Sequence, residues 1–541
     1  MNKIFLKRLY LLLAASLSVS VVFAIQPEPA AHTALSRSID KLVLKTMQAY
    51  SVPGVAIGVI QAGKIVHLKG YGVASIKNQQ RVNGNTLFKI ASNSKAFTAA
   101  ALALLVDEGK LHWQDKVVNY LPDFKMYQGW VTQQFNIRDL LTHRSGLRIG
   151  AGDLMLWPEP TLFTRQDIIK NLRFLKPVSS FRDEYAYDNL LYIVAGEVVH
   201  AISGKSWENF VAQKLFKPLN MQRCFSGGVD REKVKNLASP HAVINGQLTL
   251  LVKSEINNST SLMAPAGGIK CSAGALLKWI SFFLDDNHHN NALHISQKQK
   301  NILWQPVTPL PLSEERKKLD KTHFRGYALG WRVSDYFGHW RISHTGSLAG
   351  MMSQIIMLPD SKTGIVILTN QQSSKARQSL ARGILQRLLN LPETDWVAYY
   401  KHKETQLKKM QLTQISSMKK NFLPQLKLIV DNEDQNNLLG VYADPWFGDI
   451  SLKRENNNVI FRSKKSPQMT GKVYYYKKNQ WWVKWDDRSF EADAWLYFTQ
   501  ADQSVKLTMK AISSNTDFSF DFQDLNFKKV SKHVQADKSH H

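Results

Sequence analysis

Apolar residues between Val55 and Gly72 fall into two runs, Val-Ala-Ile-Gly-Val-Ile and Ile-Val-His-Leu, around Gln-Ala-Gly-Lys, which predicts a β-hairpin with a glycine-containing turn. The period then changes. Ala96 to Glu108 is rich in Ala and Leu without an internal breaker and stops at Gly109, the residue type that best tolerates the left-handed position after a helix. Helical patterns return at Asn189–Ala201, Glu208–Leu215 and Ala273–Leu284. Short β-type runs follow at Gly330–Val333, His339–Ser343, Met352–Leu358 and Gly364–Thr369, and Ala376–Leu389 reads as a helix lying back on them. Strands at both ends of a helical middle predict an α+β fold: an antiparallel sheet flanked by helices, beside a helical lobe.

From Thr394 to Asp431 the chain is lysine-rich and free of glycine, which predicts an exposed helical connector over residues 394–431. Beyond it, Val459–Arg462, Val473–Tyr476, Trp481–Trp485, Trp495–Phe498, Val505–Lys510 and Phe518–Phe522 are short aromatic-rich runs at regular spacing, predicting an all-β domain over 432–535. A length of 541 residues with 44% hydrophobic content fits two folded domains. The first residues change the picture again. A basic head (Lys3, Lys7, Arg8), an apolar stretch from Leu9 to Phe23 and a small-residue end at Ala24 have the layout of a secretory signal peptide over 1–24. The stretch is shorter than the roughly 20 residues that span a bilayer, so the expectation is a periplasmic or secreted protein with no transmembrane span after cleavage. The first folded domain is then 25–393.

The net charge of +27 favours anionic partners, which outside the cytoplasm means cell-wall polymer or acidic headgroups and not nucleic acid; a generally basic, soluble surface explains it equally well. Two cysteines, Cys224 and Cys271, cannot make a disulfide framework, though an oxidising compartment permits one bond. His288-His289 and His540-His541 have no ligand set around them, so no metal is expected.

Chemistry concentrates in three places. In Ser92-Asn-Ser-Lys95, directly before the long apolar helix, serine and lysine at i and i+3 share one helical face, and a buried lysine can be neutral enough to take a serine proton. The pattern recurs at Ser38, Ser416 and Ser417, and an N-capping serine beside a solvated lysine is the plain alternative. Tyr187-Asp-Asn189 offers a tyrosine for proton transfer and an amide that can fix a lysine and a substrate carbonyl; the alternative is a core tyrosine with a capping asparagine. In His344-Thr345-Gly346-Ser347, a glycine lets substrate lie against the strand, and the Ser347 N–H can join that of Ser92 as an oxyanion hole. Lys362-Thr-Gly364 is superficially similar but reads as a hairpin turn.

In this order the three motifs resemble the serine β-lactamase and penicillin-binding-protein-like superfamily, in its class C β-lactamase, DD-peptidase and esterase branch. Gly109-Lys-Leu-His-Trp-Gln-Asp, Ile137-Arg-Asp-Leu-Leu-Thr-His143-Arg-Ser-Gly and Ala266-Gly-Gly-Ile269 match its usual text, and the resemblance covers about Leu35 to Leu389. It implies a five-stranded sheet with the site between two lobes, Ser92 as acylated nucleophile, Lys95 and Tyr187 as base and acid, Asn189 as a positioning group, and no cofactor. Histidine at 344, where class C enzymes usually carry lysine, looks like the peptidase and esterase members, so an amide or ester hydrolase ranks above a true β-lactamase. A non-catalytic sensor of cell-wall fragments is the reading from another class. An unperturbed His344 titrates near pH 6.5, which predicts a pH-dependent preference for carboxylate-bearing substrates. The region from Leu439 is similar to a lipocalin-like domain appended to such hydrolases. The expected partner is a small-molecule or peptide substrate, including cell-wall fragments; the oligomeric state is left open.

Overall fold

The computed structural model describes residues 30–285, 293–421, 423–429, 433–501 and 504–530. The signal-peptide segment 1–24 lies outside them, as do His288, His289, His540 and His541.

The longer helices are α1 (Ala30–Tyr50), α2 (Ser94–Asp107), α3 (Leu190–Ser203), α4 (Ala273–Leu284), α5 (Ser374–Leu388) and α6 (Trp396–Asn421). The first sheet contains β1 (Gly54–Gln61), β2 (Lys64–Gly72), β3 (Thr308–Pro309), β4 (Arg325–Tyr327), β5 (Arg332–Tyr336), β6 (His339–Leu348), β7 (Met351–Leu358) and β8 (Thr363–Thr369). Its order is β2-β1-β8-β7-β6-β5-β4-β3, and every pairing is antiparallel. The N-terminal hairpin thus joins the C-terminal strands directly, with Val55 opposite Thr369. Eight strands replace the five implied by resemblance, because three short ones extend the edge beyond β6.

Strand β1 is apolar without a break because both faces of the sheet are covered. Val55, Ile57 and Val59 pack in one core with α1 and α5, while Ala56 and Ile60 belong to the core on the opposite face. Helix α1, absent from the sequence-based expectation, buries Ile39, Leu42 and Val43 at i, i+3 and i+4. A smaller sheet joins Phe88–Lys89, Lys270–Cys271 and Cys224–Phe225, and within it Cys224 and Cys271 form a disulfide. This sheet runs straight into the loop that leads to α2, where the Ile90 N–H donates to the Ile269 carbonyl at 3.0 Å.

The connector is not exposed along its whole length: Trp396, Val397 and Tyr400 at the start of α6 are buried with α1 and α5 residues. The second domain is a closed antiparallel barrel of β9 (Gly440–Asp444), β10 (Gly448–Glu455), β11 (Asn458–Ser463), β12 (Thr470–Lys477), β13 (Gln480–Trp485), β14 (Ala494–Ala501), β15 (Ser504–Ala511) and β16 (Asn526–Lys529). Closure comes from Tyr442 pairing with Lys529, and Tyr442, Phe461, Trp481, Trp485 and Phe498 fill the interior. Phe518–Phe522 is not a strand. It belongs to the loop between β15 and β16, and its three phenylalanines do not share a face: Phe520 and Phe522 turn to Phe490 and Trp485 of the barrel, whereas Phe518, with Ser519 and Asp521, turns to the first domain.

Candidate active site

Ser92 sits in the 3₁₀ turn Ala91–Asn93 that opens α2, so it is not the capping residue of that helix. Its neighbours are tied down. Asn93 donates to Ser353 Oγ (2.7 Å), Ser353 donates to the Ile90 carbonyl (2.6 Å), and Ser94 bonds the Ala91 carbonyl (2.7 Å) and the Ile269 N–H (3.1 Å). Asn93 and Ser94 are buried, while Ser92 keeps partial exposure and lines the cavity. Ala91 has a φ of 49°, the left-handed region where a side chain is strained, which is the usual signature of a turn held by its surroundings. Gly346 on β6 packs against this turn so closely that an added Cβ would lie 2.2 Å from the Ile90 carbonyl oxygen. Only glycine fits there. Ser347, next along the strand, also lines the cavity, as its proposed oxyanion role requires.

Lys95 is completely buried, one helical turn from Ser92. Its Nζ lies 3.5 Å from Ser92 Oγ, 2.7 Å from Asn189 Oδ1 and 2.8 Å from the Ala266 carbonyl oxygen. Burial brings its pKa down to about 7, against the pull of Asp153 and Asp188. A neutral amine has two N–H bonds and one lone pair. The two carbonyl-type acceptors take both hydrogens, which leaves the lone pair for the Ser92 hydroxyl. Tyr187 moves the other way, its pKa raised by burial despite a hydrogen bond with Ser92. The shifts are opposed in direction but have one cause: burial favours the neutral form of each group, the free amine of Lys95 and the phenol of Tyr187. The Lys95 ammonium position also lies 4.7 Å from the Tyr187 ring centroid.

Behind this group lies an aromatic layer that the sequence reading did not assign to the site. The His143 ring packs on Tyr187 with centroids 4.3 Å apart, and its Nδ1 accepts the Asp188 N–H at 3.1 Å, so the proton of the neutral ring is on Nε2. Arg332 on β5 donates to the Tyr185 hydroxyl at 3.1 Å and faces the Tyr185, Tyr187 and Tyr327 rings. His344 belongs to this layer. It is buried, its Nδ1–H donates to the Thr345 carbonyl (2.8 Å), and its Nε2 accepts from Tyr327 (3.0 Å). Burial, reinforced by Arg332 and Lys95, holds its pKa well below the ordinary histidine range. The expectation of titration near pH 6.5 is therefore corrected: this ring stays neutral, and Thr345 serves it through a backbone carbonyl. Lys362 takes a left-handed φ of 45° between a 3₁₀ turn and β8, so Lys362-Thr-Gly364 is a hairpin connection.

The largest surprise is the contribution of the barrel. The β15–β16 loop enters the first domain, where Asp521 accepts the Gly152 and Leu154 N–H groups at 2.6 and 3.1 Å. Ser519 donates to Asp153 Oδ2 at 2.8 Å, and the same oxygen accepts Asn189 Nδ2 at 2.8 Å. Asn189 is thus oriented with its oxygen toward Lys95 by a carboxylate that the barrel helps to hold. Close approach again demands glycine: a Cβ on Gly150 would lie 2.6 Å from the Phe518 carbonyl oxygen. The two domains enclose a cavity of about 400 Å³ beside Ser92. No local signal marks Asp153, Ser519 or Asp521, since the contacts that join the loop to the first domain link residues more than 360 positions apart.

Residues 39–389 match the family described as Beta-lactamase, and residues 429–529 match one described as a domain of unknown function (DUF3471). The chain is 27% identical over 389 residues to "Unguisins hydrolase ungD'" of Aspergillus campestris, an alignment covering 69% of this chain and 70% of that protein. It is 26% identical over 352 residues to "Protein flp" of Staphylococcus aureus (strain N315), covering 62% of this chain and 63% of that one. Among solved structures, the octameric penicillin-binding protein homologue from Pyrococcus abyssi matches with a TM-score of 0.59 at 19% identity, over 91% of this chain and 99% of the other. A class C beta-lactamase mutant matches with a TM-score of 0.55 at 22% identity, over 66% and 99%. At such identities these structures speak for the fold.

Proposed function

The chain belongs to the Beta-lactamase family, and from that membership we propose that it is an exported serine hydrolase which forms an acyl-enzyme on Ser92 and cleaves amide or ester bonds, with D-amino-acid peptides and carboxylic esters as the favoured substrates. One observation carries the reading: a fully buried lysine, its pKa brought to about 7, has spent both N–H bonds on Asn189 and Ala266 and turns its remaining lone pair to Ser92 Oγ. In acylation Ser92 Oγ bonds to the substrate carbonyl carbon while its proton passes to Lys95 Nζ. Negative charge on the carbonyl oxygen is met by the Ser92 and Ser347 N–H groups. The bond to the leaving amine or alcohol then breaks as that group takes a proton, relayed through Tyr187, and water attacks the ester in a second, mirror-image step.

Two further features support parts of this reading. The Cys224–Cys271 disulfide suits an oxidising compartment, in agreement with the N-terminal sequence and a periplasmic or secreted location. The neutral, enclosed His344 offers no charge for a substrate carboxylate, which favours an ester or other substrate without one over penicillin. Incubation with a reactive fluorophosphonate followed by peptide mass mapping tests the core of the proposal. Mass added at Ser92 is the expected result. Folded protein that acquires no adduct would instead favour a binding protein that has kept the fold and lost turnover.

A further inference from the structure

Strands β12 to β16 of the barrel contain seven lysines and no acid. Alternation sends Val473, Trp481, Val483, Leu496 and Leu507 into the barrel, so their neighbours along each strand form its outer wall. Register arranges that wall in rows. Tyr474, Trp482, Trp495 and Lys510 lie opposite one another, and Gln480, Tyr497, Thr508 and Asn526 form the row two residues further on. The Tyr474 ring lies 6.1 Å from that of Trp482 and the Tyr476 ring 5.3 Å from that of Trp495, which makes the middle of the wall an aromatic strip. Tyr474, Trp495 and Tyr497 keep partial exposure.

At each end of the strip two lysines stand directly opposite, Lys472 with Lys484 and Lys506 with Lys528. Like charges in that position repel. Neither pair is relieved by an acid: no ion pair among the described residues includes any of these four lysines or Lys510. At the usual spacings across and along strands the two pairs are roughly 20–25 Å apart. The first pair lies beside the site, since Gln468, four residues before Lys472, and Asp487, three residues after Lys484, both line the cavity.

We propose that this wall is a docking surface for an acidic glycan, a chain of sugar rings bearing carboxylates, which it guides toward the mouth of the cavity. Aromatic faces on a barrel accept the flat faces of sugars as they accept those of bases, and the lysine pairs at either end supply the counter-charge. Gln480, Thr508 and Asn526 offer hydrogen bonds to the hydroxyls between them. A bilayer would need apolar side chains that protrude into it, and none of the exposed large apolar residues among the described ones lies on these strands. Nucleic acid does not fit the oxidising compartment that the Cys224–Cys271 bond suits. Docking of this kind is independent of turnover at Ser92.

Titration calorimetry on the full-length protein compares hexagalacturonate with its methyl ester, which keeps the rings and loses the charge, and with hexaglutamate, which keeps the charge and has no rings. Hexagalacturonate is expected to bind at least about tenfold more tightly than either, and less tightly as salt is raised. Trp495→Ala should weaken it by about tenfold through lost stacking, and Lys484→Gln combined with Lys510→Gln by about fivefold. Melting curves report on the folding of each variant. Both lysines are exposed, so their variant decides the matter if Trp495→Ala does not fold. Absence of hexagalacturonate binding would overturn the proposal, and so would a methyl ester or a hexaglutamate that binds as well. Tighter binding of oligothymidylate or of phosphatidylglycerol vesicles would assign the wall to a different partner and equally end it. Ser92→Ala should bind as wild type does, so that a failure of docking and a failure of the hydrolase reading are told apart.

Discussion

The two walls of the cavity beside Ser92 are built by different rules. On the hydrolase side, Ser92 and Lys95 are three residues apart, and the 3₁₀ turn running into α2 places them together within one short segment. On the barrel side, Ser519 lines the same cavity only because the closed barrel beyond the family domain docks a loop onto Gly150–Leu154, where Asp521 holds it. The first wall holds the groups proposed to react. The second orients one of their supports and narrows the space that a substrate can occupy. Chemistry and access are therefore separable in this protein, and variants can attack them one at a time.

Changes in the first wall should have the largest effects. Ser92→Ala is expected to remove turnover altogether, and Lys95→Ala or Tyr187→Phe to lower kcat/KM by about 10²–10⁴, with the double variant scarcely worse than either single one because both serve one proton transfer. Steady-state kinetics on correctly folded protein checks this; additive losses would divide the unit. With its pKa at about 7, Lys95 must lose a proton to act as base. kcat/KM should therefore rise about tenfold per pH unit below 7 and level off above it. A profile flat from pH 5.5 to 8 would leave Lys95 without that role.

The second wall should respond more mildly. Asp521→Ala strips the acceptor from the Gly152 and Leu154 N–H groups, each of which costs about 1–3 kcal/mol when left unpaired and buried. The expected outcome is a loop more open to limited proteolysis and a lower melting temperature, together with a several-fold fall in kcat/KM and no loss of the fluorophosphonate adduct. A variant that lost adduct formation entirely would show that the two walls are not separable. Smallest of all is the effect expected at His344. Enclosed by Tyr327, Arg332 and the Thr345 carbonyl, its ring should give no titration between pH 6 and 8 by nitrogen NMR, whereas a shift centred near 6.5 would restore the switch that the sequence alone suggested.

Much of the architecture was legible because it is written in local periodicity. The hairpin at Val55, the helix after Lys95 and the aromatic runs beyond Val459 each declare their period within a short window, and the three motifs fall in the order of a known family. Helix α1 was missed because its apolar stripe of Ile39, Leu42 and Val43 is diluted by charged neighbours such as Asp40, Lys41 and Lys45. Phe518–Phe522 was misread because apolar alternation does not show what each side chain meets, and here Phe518 turns to the first domain while Phe520 and Phe522 turn to the barrel, with no neighbouring strand among the described residues.

What the sequence by itself determined is the i, i+3 spacing of Ser92 and Lys95 and the spacing of Tyr187 and Asn189, both set within a few residues, whereas the close approach of Gly346 to the Ile90 carbonyl belongs to the tertiary structure. Only the tertiary structure decided the electrical state of those groups. Lys95 and His344 have unremarkable side chains; burial lowers the pKa of both, that of Lys95 to about 7, because the penalty for holding charge depends on how much water the fold excludes. Asp153 shows the same dependence most fully. Nothing adjacent to it in the chain foretells a buried carboxylate held by Asn189 of its own domain and by Ser519 of the barrel, since those segments meet only on folding.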